Sequence, residues 1–196
     1  MKTISLKIAA ITVAGILVAL GAMKYLAINN EKVPVTDADT TNQPIAEENK
    51  AAPTLASKST EEQLLYLVEE EKLAHDVYTV MYQKYGASIF GNILKSESTH
   101  QEMVLALLQV RNIADPSSRE VGVFRDKDLQ TLYDTLIAQG NINITEAYKV
   151  GVTIEEKDIA DISAQLSTAA DDDVIAALES LRSGSENHLR AFNRQL

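Results

Sequence analysis

Glu97-Ser-Thr-His100 sets a carboxylate and an imidazole three residues apart, and Ser185-Glu-Asn-His188 carries a second imidazole in a similar stretch. On a helix, residues three apart point the same way, so Glu97 and His100 can reach one ion. Two further helical stretches place acid on their apolar faces, at Glu71 and at Glu155 with Asp158. A buried acid is costly unless something compensates it. Four stretches that turn acid or imidazole inward predict a metal at their centre. The candidate ligands are Glu71, Glu97, His100, Glu155, Asp158 and His188.

Each candidate also has a plainer reading. Glu-x-x-His arises often on solvated helix faces, but Phe90, Ile93, Val104 and Leu108 put Glu97 and His100 on an apolar stripe. Glu69, Glu70 and Glu71 are consecutive. The phase of Leu64, Leu67, Ala74 and Tyr78 selects Glu71 and assigns Glu69 and Glu70 to a solvated face. His75 reads first as a ligand's partner or a surface residue, and only then as a ligand. Glu155-Glu-Lys-Asp158 is a charged patch unless Ile154 and Ile159 mark an apolar side of its helix. Asn187 and Arg190 either orient a ligand or pair on the surface.

The chain has 196 residues, a net charge of −10 and no cysteine. The acidic balance argues against a nucleic-acid surface, which needs clustered Lys and Arg. The lack of cysteine removes disulfides, thiolate catalysis, iron–sulfur clusters and thiolate zinc sites. The remaining donors, carboxylate and imidazole, suit iron, manganese or zinc.

The elements that must position these donors follow from hydrophobic periodicity. Residues 1–28 read as an export signal: Lys2 and Lys7, an uncharged apolar run from Ile8 to Ala22, and small residues around Ala19-Leu20-Gly21. The run is short for a roughly 20-residue membrane span, so an uncleaved N-terminal anchor is the second reading. Residues 29–59 hold Pro34, Pro44 and Pro53 among polar residues and read as a disordered linker. In residues 60–196, Ser59-Thr-Glu-Glu62 resembles a capping box opening a helix that Gly86 stops. Further helices are expected over about 88–111, 126–139, 144–166 and 171–192. The expected fold is all-α: a four-helix bundle of two short-looped pairs, joined by one long crossover that carries a short extra helix.

Glu71-Lys-Leu-Ala74 followed by Tyr78 resembles the first metal-ligand helix of rubrerythrin-like proteins, and Phe90 to His100 resembles their second. The segment from about Glu69 onward also resembles a bacterial ferritin-like family labelled as a domain of unknown function. The residues that carry this are Glu69-Glu-Glu-Lys-Leu-Ala74, Ser96-Glu-Ser-Thr-His100, Gly151-Val-Thr-Ile-Glu155 and Gly184-Ser-Glu-Asn-His-Leu-Arg-Ala-Phe192.

The resemblance implies a ferritin-like four-helix bundle and a di-iron centre, with Glu71, Glu97, His100, Glu155 and His188 at the ligand positions. The chain departs from it at Ser185, where the fourth helix should carry Glu; Glu186 points about 100° away. A symmetric di-iron site is thereby put in question. Asp158 compensates, or the site holds one metal, or it holds none. Three functions are therefore expected: an iron-dependent oxidoreductase, a metal-binding module without turnover, or an interaction bundle with a decayed site. Without a cysteine-based electron-transfer module, electrons would come from a partner or from incoming ferrous iron. A membrane tether through the N-terminal segment and a homo-oligomer are the other associations expected.

Overall fold

The computed structural model describes residues 54–196. The expected signal and most of the expected linker lie outside these residues. The end of that linker stretch lies inside them, where Leu55–Ser57 forms a 3-10 turn. The Gln63 amide holds it by donating to the carbonyls of Leu55 and Lys58.

The described residues form five α-helices and no strand: α1 (Thr60–Tyr85), α2 (Ser88–Val110), α3 (Lys127–Gly140), α4 (Ile144–Leu166) and α5 (Asp172–Asn193). Local chemistry explains where they begin and end. Ser59 and Glu62 exchange the two hydrogen bonds of a capping box, and Gly86 ends α1 at φ 64°. Asp126 and Asn143 accept backbone N–H groups at the starts of α3 and α4. Arg111, at the end of α2, pairs with Asp171 and Asp173 at the start of α5.

Two apolar clusters fill the interior. Along α1, Leu64, Leu67 and Val68 belong to one, and Tyr78 and Met81 to the other. α5 runs the same way, from Val174, Leu178 and Leu181 to Phe192, while α2 and α4 run oppositely, from Phe90 to Leu108 and from Val150 to Ile162. The chain must therefore travel the length of the helices between α2 and α4. The crossover 111–143 does so and packs α3 against α1 and α4.

This crossover corrects one expectation. Glu69 and Glu70 are buried, at 3% and 4% exposure, not solvated. Both Glu69 oxygens accept backbone N–H groups, of Arg125 at 2.6 Å and Asp126 at 2.8 Å. Lys72 donates to Glu120 O at 3.0 Å and pairs with Asp76, which also accepts Gly122 N–H at 2.9 Å. Glu70 pairs with Lys157 of α4 at 2.6 Å. α1 thus has the core on one side and the crossover on another, and every residue from Leu67 to Ala74 is buried. No helix among the described residues is long and apolar enough to cross a membrane.

Candidate metal centre

Between the two apolar clusters, all four long helices turn polar. α1 supplies Glu71, α2 Glu97 and His100, α4 Glu155 and Asp158, and α5 Ser185 and His188. All seven are buried. The α1–α2 pair thus contributes three of the expected ligands and the α4–α5 pair the other three.

Glu97 lies between the imidazoles. Its Oε2 is 2.9 Å from His100 Nδ1 and its Oε1 is 2.8 Å from His188 Nδ1. His100 Nδ1 is also 3.3 Å from Glu71 Oε2, and His188 Nδ1 is 3.5 Å from Glu155 Oε2. The imidazole rings stack with centroids 5.4 Å apart. Tyr78 donates to Glu155 Oε1 at 2.6 Å. Ser185 donates to Asp158 Oδ2, so the residue in place of the expected fourth-helix Glu is hydrogen-bonded to the acid on α4.

Burial and crowding set the protonation of this layer. Burial is the largest influence on Glu71 and Glu155 and pushes their carboxyls up to about 8 and about 7, with the neighbouring Glu97 charge adding to it. Asp158 is raised well above the usual range by burial and then by Glu71 and Glu155. Burial also works against Glu97 ionising, but the two imidazoles outweigh it and hold that carboxyl down at about 2. His100 and His188 resist burial through their carboxylate neighbours and rise to about 10 and about 9.

Four acids share this space, and among the described residues no Lys or Arg pairs with them. Lys72 goes to Asp76, and Lys157 to Glu70 and Asp161. Two buried carboxylate oxygens here, Glu71 Oε1 and Asp158 Oδ1, have no hydrogen-bond partner, and Glu97 Oε1 and His188 Nδ1 meet only each other, at 2.8 Å and out of line for a hydrogen bond. Ligand atoms of Glu97, His100 and His188 lie within 4.8 Å of one another. Carboxylate and imidazole donors crowded in a buried, acid-rich layer fit a hard or borderline cation such as iron, manganese or zinc.

Other candidates fall outside the layer. His75 is partly exposed and faces Asp76 at 3.1 Å. Asn187 and Arg190 are exposed and bond to each other. Two neighbours escaped the sequence reading, although both stand inside motifs it singled out. Ser96 Oγ is 3.4 Å from His100 Nε2, and Gly184 abuts the same ring.

Residues 60–196 match the family described as "Uncharacterized protein domain (DUF2202)". The chain belongs to this family. The matched region opens with α1 and contains every residue of the polar layer. Uncharacterized protein MJ0754 of Methanocaldococcus jannaschii is 41% identical over 155 residues, which cover 79% of this chain and 78% of that protein. The crystal structure of hypothetical protein MJ0754 from Methanococcus jannaschii DSM 2661 superposes with a TM-score of 0.69 at 39% identity, covering 81% of this chain and 85% of that one. DUF2202 membership therefore spans the helices and the polar layer together.

Proposed function

We propose that the protein is an exported, ferritin-like metal-binding protein whose resident metal is iron, held as a pair of ions by Glu71, Glu97, His100, Glu155, Asp158 and His188. One observation carries the reading: four acids and two imidazoles are buried in one layer, Glu71 Oε1 and Asp158 Oδ1 have no hydrogen-bond partner, and among the described residues no Lys or Arg pairs with any of the four acids. Charge supports a pair, because four carboxylates with neutral imidazoles balance two divalent cations. The directions of the helices and the crossover between α2 and α4 support the ferritin-like assignment. Export rests on the character of residues 1–28 alone.

In this reading Glu97 reaches both halves of the site, and His100 and His188 flank it. Tyr78 holds its proton against Glu155 Oε1 and fixes that carboxylate. The apolar clusters on both sides exclude water. Bound ferrous iron would supply electrons to oxygen or peroxide. Storage of the ion without turnover is the second reading, favoured by ligands as deep as Glu97 at 2% and Glu155 at 1% exposure.

The test is metal content per chain after anaerobic ferrous loading and desalting, with His100→Ala as control. About two irons, lost in the control, support the pair. About one iron supports a mononuclear site. No retained iron, zinc or manganese would overturn the metal reading and leave an interaction bundle. Oxygen uptake on ferrous addition separates turnover from storage.

A further inference from the structure

Two adjacent small residues of α5 face ligands carried by other helices. A Cβ at Gly184 would stand 2.5 Å from His100 Nε2 and 2.6 Å from its Cε1. Only glycine leaves the imidazole where it is. The ring has little room to retreat, because its Nδ1 is 2.9 Å from Glu97 and 3.3 Å from Glu71, and it stacks on His188. Next along the helix, Ser185 is 1% exposed. Its hydroxyl has one proton and two acceptors in reach, Asp158 Oδ2 and Leu181 O. Once a bound cation ionises Asp158, that carboxylate is the stronger acceptor. The bond fixes one carboxylate oxygen and leaves Asp158 Oδ1 without a partner.

We infer that the Gly184–Ser185 step of α5 is a positioning device for two ligands: Gly184 gives His100 the space to present Nδ1, and Ser185 turns Asp158 so that its free oxygen supplies the carboxylate α5 lacks. The inference rests on the metal-binding reading above. It gives both small residues of this step a role at the polar layer. The ligand set becomes asymmetric, with two acids from α4 and none from α5.

The test is titration of the full chain with Co2+ alone, read by affinity and by the visible ligand-field spectrum, with helical content followed by circular dichroism. Gly184→Ala and Ser185→Ala are each expected to weaken binding about 10- to 100-fold and to change the spectrum. Each effect should vanish in the background of the ligand it serves. Ser185→Ala should add nothing to Asp158→Ala, and Gly184→Ala should add nothing to His100→Ala. Should Gly184→Ala alone fail to fold, normal folding of the Gly184→Ala/His100→Ala pair upholds the contact, and the serine cycle decides the rest. Wild-type binding with unchanged alanine variants, or additive effects in the double variants, would overturn the inference while sparing the metal reading. A wild-type chain that takes up no Co2+ would overturn both.

Discussion

Glu97 Oε1 and His188 Nδ1 stand 2.8 Å apart as a buried ion pair, out of line for a hydrogen bond. Each compensates the other's charge, but the poor alignment gives neither a well-formed hydrogen bond. Donors that share one ion crowd in a similar way: with bonds of about 2.1 Å, neighbouring ligand atoms lie roughly 3.0–3.4 Å apart.

Glu97 faces both imidazoles, so its loss should be the most damaging single change to binding. Glu97→Gln keeps the shape and removes the charge. Metal affinity, measured by competition with a chelator, is expected to fall about 100-fold or more. A fall of less than threefold would remove Glu97 from the ligand set.

The metal-free protein should lose stability as pH rises from about 5 to 10. His100 and His188 are raised from 6.5 to about 10 and about 9, so their contribution is full below 6.5 and lost as pH passes those values. Glu71 and Glu155 are raised from 4.5 to about 8 and about 7, so above 4.5 their ionisation costs the fold more and more until those values. All four make the folded chain bind more protons than the unfolded one in this window. Glu97 acts oppositely, but its contribution disappears only as pH falls from 4.5 toward about 2. Thermal melts of the metal-free chain at pH 5.5, 7 and 9 should give a falling Tm; a rise would contradict the assigned protonation. Metal loading at pH 7 should release protons, seen as a calorimetric enthalpy that varies with the buffer.

Tyr78 is fully buried, and its hydroxyl reaches Glu155 at 2.6 Å. Tyr78→Phe leaves that carboxylate oxygen without its donor. The expected cost is about 1–3 kcal/mol in denaturant melts of the metal-free protein. An unchanged midpoint would show that Glu155 finds another partner.

Glu69 is the point where α1 holds the crossover. Glu69→Ala leaves the Arg125 and Asp126 amides without their acceptor. We expect destabilisation of about 1–3 kcal/mol and faster hydrogen exchange confined to the crossover around those amides. Uniform exchange across α1 and α2 would instead mean that the crossover is not an independent opening unit.

The polar layer was legible because each donor interrupts an apolar stripe. Glu71 falls in phase with Leu67, Ala74 and Tyr78, and Glu97 and His100 with Ile93 and Val104. A polar group in a buried face must be compensated by something, so such a break stands out in the sequence. The environment of Glu69, Glu70 and Lys72 was not legible. A helix covered by the core on one side and by a crossover on another has no solvated stripe over that stretch, so periodicity no longer separates inside from outside. An acidic run then looks like surface, although its partners lie far along the chain: backbone N–H groups for Glu69 and Lys157 for Glu70. The contact of Gly184 with His100 was hidden for another reason: the absence of a side chain leaves no periodic signal, and its role appears only when another helix lies against it.

The division of the ligands between the α1–α2 and α4–α5 pairs has a mechanical consequence. A chain with no cysteine cannot staple its halves with a disulfide. Metal held by three residues from each pair would be a removable cross-link, closing a long loop through the crossover much as a disulfide would. Its strength would depend on concentration, since a ligand that binds only the folded state stabilises it more as its level rises above the Kd. The apparent melting temperature would then track free metal in the surroundings, and a chelator would act as the reductant does on a disulfide-bonded protein.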